Sequence, residues 1–246
     1  MTAETLIPTL AVTLVFVCIF LLGHRLRIHR RRRRRAGLSL AAGVAVAYVF
    51  VELLPELNEA TERFVDATAD RSLPMAEYHV HLAALIGFAV FYGLEHLVTR
   101  TRRATTAHTA FRVQIAGFAA YAALVGYLLI RGTALDRMWV PLYALAMGLH
   151  FLGVDHAMER ENEQRYLRSG RYVLAAAAVL GWVCGAWVEI PVPVVTLLAG
   201  GVSGGVIINS MVMELPAEKD GRFWPFVIGA IAYAAIILLA TAAGNG

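Results

Sequence analysis

Between Trp139 and Glu159, the apolar stretch WVPLYALAMGLHFLGVDHAME carries His150 near its middle and Asp155, His156 and Glu159 toward its end. Neutral imidazole ligates zinc and titrates near neutrality, so His150 suits either metal binding or proton coupling. Asp155 follows five residues on, about 140° round an ideal helix, so the two reach one ion only if the helix is distorted or the ion lies between helices. Gly148 and Gly153 are positions where such distortion is tolerated. A charge at a bilayer centre costs about 2.5 to 3.5 kcal/mol on insertion scales, so groups kept there face a protein interior, water or an ion. A buried histidine bonded to a Ser or a backbone carbonyl is the structural alternative, and His156 and Glu159 sit nearer the cytosolic interface.

Three further stretches carry the same chemistry. In VELLPELNE, Glu52 and Glu56 are four apart and share a helical face, with Glu59 a turn beyond. Pro55 frees the carbonyl of Val51 as an added oxygen ligand. In YHVHLAALIGFAVFYGLEHL, His79 and His81 stand at one end and Glu95 and His96 at the other. His81, Phe88 and Glu95 recur at sevens on one stripe, and Gly87 and Gly93 permit close helix approach. In LLAGGVSGGVIINSMVMELP, Gly200, Gly201, Gly204 and Gly205 form small-residue faces, Ser203, Ser210 and Glu214 share a stripe, and Asn209 lies beside it. A helix end emerging into water accounts equally for Glu52, Glu56 and Glu214, and solvation accounts for the interfacial histidines. As a ligand set, His150, Asp155, Glu52, Glu56, Glu95, Asn209 and Glu214 describe a cation path.

The elements that position these groups follow from composition. Of 246 residues, 59% are hydrophobic and 16% charged, and the mean hydropathy is +0.62. That balance excludes a soluble domain with a polar surface. A helix needs about 20 mainly apolar residues to cross a bilayer. Eight segments approach that, at about 4–24, 38–59, 79–98, 112–131, 138–159, 171–189, 192–214 and 222–242, giving an all-α polytopic membrane protein with one transmembrane domain over 1–246. The first segment lacks a basic n-region and reads as a retained anchor. In an eight-span layout, 18 of the 22 Lys and Arg fall on one side, including the run Arg30 to Arg35. The positive-inside rule then places that side in the cytosol and both termini outside. The run anchors topology or binds anionic lipids, and without interleaved aromatics it does not point to nucleic acid. The longest outer loop, Ala60 to Tyr78, carries Glu62, Asp66, Asp70 and Glu77 against Arg63 and Arg71, as solvated charges or as an attractor of cations. Cys18 and Cys184 match no metal or disulfide spacing.

On AAGVAVAYVFVELLPE, LIGFAVFYGLEHL and AGGVSGGVIINSMVMELPAE, in that order, the chain resembles the ZIP family of divalent-metal transporters. The resemblance implies an eight-helix bundle in the cell's inner membrane, zinc or a similar first-row metal as cargo moving toward the cytosol, and, by analogy alone, a homodimer. Glu52 stands where that family often has histidine, and Pro55 and Glu56 retain its Pro-Glu. The family's fourth-helix His-Asn-x-x-Asp pattern is missing from FRVQIAGFAAYAALVGYLLIR, where Gln114 is the sole amide. In the fifth helix, His150 and Asp155 match the first and last positions of His-Glu-x-Pro-His-Glu, while Phe151, Gly153 and Val154 replace the Glu, Pro and His between. The implied binuclear centre therefore reduces to a single site on His150 and Asp155, helped by the other candidates. A ZIP-derived scaffold or sensor without transport is the rival reading. No His-Glu-x-x-His, nucleophile elbow or phosphate loop supports an enzyme.

Overall fold

The computed structural model describes residues 3–23, 31–69, 73–101, 107–132, 140–211 and 222–244. The described residues form helices and short connections, with no strand among them. We number the helices α1 (Ala3–Leu22), α2 (Arg31–Tyr48), α3 (Leu54–Thr68), α4 (Ala76–Thr101), α5 (Ala107–Arg131), α6 (Val140–Arg165), α7 (Arg171–Trp187), α8 (Val192–Asn209) and α9 (Phe223–Gly244). Single π-helical turns, Val49–Leu53 and Tyr166–Gly170, join α2 to α3 and α6 to α7. Six helical stretches are long and apolar enough to cross a membrane: Thr5–Leu22, Ala36–Thr68, Ala76–Leu94, Phe111–Arg131, Glu163–Trp187 and Val192–Asn209. Phe223–Leu239 is a shorter apolar helix, and α6, with its acids and bases, is not among the six. Large side chains such as Leu85, Ile86, Leu238 and Leu239 are exposed on the outside of the bundle, as a lipid surround requires.

The second segment is longer than the predicted 38–59. Pro55 lacks the N–H that would bond Val51, and just before it the backbone widens, so that Leu54 N–H bonds Val49 O. The helix then continues to Thr68, and much of the expected outer loop is α3. The reason is amphipathic periodicity: Leu57, Ala60, Thr61, Phe64 and Thr68 are buried on one face, with Glu62 and Asp66 exposed opposite. At 1.5 Å per residue, Ala36–Thr68 is about 50 Å long, so it outreaches a ~30 Å hydrocarbon core.

Three helix pairs approach so closely that backbone meets backbone. A Cβ on Gly43 would strike the Phe226 carbonyl (α2 on α9), on Gly181 the Ala123 carbonyl (α7 on α5), and on Gly204 the Ala84 carbonyl (α8 on α4). Lipid offers no hydrophobic drive between helices, so small residues that admit such contact hold the bundle. Gly87, as expected, packs on Gly201, whereas Gly93 faces open space.

These contacts also give directions. Within each of the three pairs the helices run parallel: Val80 meets Gly200 and Ala84 meets Gly204, Ala123 meets Gly181 and Tyr127 meets Gly185, Ser39 meets Arg222 and Gly43 meets Phe226. Along α1, Val15 and Ile19 meet Gly148 while Gly23 meets Asp155, so α6 runs parallel to it. Thr9 meets Trp182 and Leu21 meets Arg171, so α7 runs antiparallel. The chain therefore reverses between Asp155 and Arg171, in the stretch that holds the second π turn. An aromatic core lies between α1, α5 and α6, where Phe16 and Phe151 stack edge-on at 4.8 Å and Tyr121 and Phe151 at 5.9 Å.

Candidate functional site

A cavity of about 360 Å³ opens among the first π turn, α3, the end of α5, the start of α6 and α8. Arg131 and Glu189, where their elements end, and the exposed Arg63 of α3 line its mouth, while Tyr48, Glu56, Tyr143 and Ser203 line it deeper, and Val125, Met147 and Val206, all buried, close its floor. Most of the remaining wall is aliphatic.

Each polar group owes its place to local structure. Glu56 sits one residue past Pro55 on the cavity face of α3, within electrostatic reach of Tyr48 and Tyr143. Glu52 belongs to the π turn, is not part of the lining, and has Tyr233 of α9 in range instead. Of the two acids expected to share a face, Glu56 is therefore the one that lines the cavity. At the mouth, Arg131 bonds Glu189 at 2.6 Å and the Gly185 carbonyl at 2.7 Å, tying the end of α5 to the α7–α8 connection. That hydrogen bond and the guanidinium charge hold the Glu189 carboxyl below the usual carboxylate range. The pair is thus fully formed above that range and is lost as pH falls through the lowered value.

His150 and Asp155 are not brought together. His150 is 1% exposed, points at α5, and its Nε2 lies 2.9 Å from the Tyr121 hydroxyl. It sits one turn below Met147 of the cavity floor and is not on the lining. Asp155 is 2% exposed, lies against Gly23 at the end of α1, and accepts a hydrogen bond from the Tyr166 hydroxyl. Glu159, also buried, and Arg171 complete that second cluster, which belongs to the reversal between α6 and α7. The cause is the angle between positions five apart on a helix that no kink at Gly148 or Gly153 has turned; α6 is continuous through both.

Asn209 and Ser210 are buried at the end of α8, and among the described residues Asn209 Nδ2 and Ser210 Oγ have no hydrogen-bond partner. Glu95 lies on α4 but its side chain is outside the described set, and Glu214 falls outside the described residues altogether. Among the histidines, His79 stacks on Phe64 at 5.3 Å, His81 faces Thr61 at 3.4 Å, and His96 stacks on Tyr92 at 6.3 Å. Among the described residues no three His, Cys, Asp or Glu side chains come close enough to hold a metal ion.

Sequence reasoning overlooked the phenols. Tyr48, Tyr121, Tyr143 and Tyr233 are all buried, and Tyr48 lies within electrostatic reach of the other three. The available signal was a tyrosine inside an apolar helix, which has the same form whether the ring faces lipid or core. Comparison with protein-family models and with curated proteins gives no match.

Proposed function

We propose that the protein is an integral membrane carrier of eight spans, ZIP-like in layout, that moves a divalent cation such as zinc from outside toward the cytosol. The observation that carries the reading is the cavity: about 360 Å³, open among helix ends on one side, closed below by Val125, Met147 and Val206, with the His150–Tyr121 pair, Asn209 and Ser210 on the far side of that floor. Alternating access needs a site reachable from one face at a time, with a barrier of packed side chains that a rocking of helix groups can open. Helix directions support the eight spans. If successive spans alternate, the first and fifth, second and eighth, third and seventh, and fourth and sixth run parallel, as α1 and α6, α2 and α9, α4 and α8, and α5 and α7 do. In this orientation the cavity faces outward, Glu56 is the first ligand the cation meets, and His150 and Asp155 serve successively.

The rival reading is a ZIP-derived scaffold or sensor that does not transport. It is favoured by the separate closure of His150 on Tyr121 and of Asp155 on Tyr166, and by the lack of any three-ligand group among the described residues. Uptake of zinc into proteoliposomes decides between them. Saturable uptake that falls at least about tenfold in Glu56→Gln or His150→Ala is the carrier's result; uptake no faster than in empty liposomes leaves the scaffold.

A further inference from the structure

We propose that the cavity binds a small zwitterion with an apolar body, its cationic end at Glu56 and its anionic end at Arg63. The inference rests on the cavity alone and does not require that an ion pass through it. A volume of about 360 Å³ lies within the ~300 to 1,000 Å³ range of small-molecule pockets, and it exceeds many times the ~30 Å³ share of one water. A lone dication would touch little of it. Leu53, Leu57, Val125, Val195, Ala199 and Val202 make much of the wall, a surface suited to an aliphatic chain.

The charges on the lining are arranged by position. Glu56 and Arg63 both belong to α3 and stand seven residues apart, so they share a face about 10 Å apart along the axis. Glu56 has the buried phenols Tyr48 and Tyr143 within electrostatic reach and on the same lining, and aromatic rings favour a cation between them. Of the two guanidiniums at the mouth, Arg131 is committed to Glu189 and to the Gly185 carbonyl. Arg63 is exposed and makes no ion pair among the described residues, so it is the one left to take a carboxylate, with the forked geometry that such a group matches. With Arg131 and Glu189 paired at the mouth, the lining carries an acid, Glu56, at depth and a base, Arg63, toward the rim. A simple cation meets Glu56 only after passing Arg63, and a simple anion is held at Arg63 with an acid below it. One molecule carrying both charges on an apolar spacer satisfies both ends at once.

The test uses the purified full chain in lipid nanodiscs and its thermal unfolding in the presence of straight-chain ω-amino acids of increasing length. The matching n-alkylamines, n-alkanoates and zinc chloride serve as controls. We expect one length to raise the melting temperature saturably, with the one-charge analogues of that length about tenfold weaker in apparent affinity. Glu56→Gln should reduce the ω-amino acid to the level of the alkanoate, and Arg63→Gln to that of the alkylamine. If either variant misfolds, Glu56→Asp keeps the test alive, since a shorter acid should move the preference to a longer ligand. The proposal is overturned if no ω-amino acid outperforms its one-charge analogues, or if both charge-removing variants bind as the wild type does. Stabilisation by zinc alone sinks this inference and leaves the carrier reading standing. An ω-amino acid shift in protein that shows no zinc flux does the reverse.

Discussion

Tyr121 occupies the Nε2 side of the His150 imidazole at 2.9 Å in a fully buried setting, so a metal could not use that nitrogen without displacing the phenol. A buried polar pair of this kind is worth most when one partner is removed, because the survivor keeps its desolvation and loses its bond. Tyr121→Phe should therefore destabilise by about 1 to 3 kcal/mol, and adding His150→Leu should return part of that loss. Thermal unfolding of the two single variants and the double variant measures it. Strict additivity, within about 0.5 kcal/mol, would show that the bond carries nothing. At this scale the sequence was partly legible. The residue types at Glu56, His150, Asp155 and Asn209 identified groups that the structure buries or places on the cavity. Their partners were not legible, because a phenol's role depends on which way its helix is rotated, and hydropathy treats Tyr121 and Tyr166 as ordinary apolar positions.

Helices are fixed in rotation by their closest contacts, and here those contacts are glycines. Gly204 lies so near the Ala84 carbonyl that a methyl group has no room, and the obstacle is backbone. Gly204→Ala must push α8 from α4, and it is expected to destabilise the fold by an amount typical of core overpacking, about 1 to 3 kcal/mol, seen as a lower melting temperature. Gly93→Ala on the same pair meets nothing within 4 Å and should be neutral or stabilise by up to about 1 kcal/mol through helix propensity. If the two variants unfold alike, the close approach is not what holds the pair. The clustered small residues of the seventh segment announced tight packing, but not that α4 was the partner. The π turn before Pro55 was legible only as a weakened ladder. Spacing alone did not say that Glu56, and not Glu52, would line the cavity. The length of α3 was available in its apolar periodicity, which the abundance of charge on its other face concealed.

Over the whole molecule, the parallel and antiparallel pairings agree with one alternating path, and that path makes a prediction about sides. In a Cys18→Ala, Cys184→Ala background, Arg63→Cys and Glu189→Cys should react with a membrane-impermeant maleimide on intact cells. Ser169→Cys, exposed in the π turn between α6 and α7, should react only after the cells are opened. Labelling of all three from one side would refute the reversal of α6 and α7 across the membrane. Helical class, apolar stretches long enough to cross a membrane and the approximate position of most of them were determined by the sequence alone, because they follow from sums over local windows: apolar length and periodicity. Which side chains share a void was decided only by the tertiary structure. It depends on helix rotations set by distant backbone contacts such as Gly204 on Ala84 and Gly181 on Ala123, and on one widened turn before Pro55, none of which any local window contains.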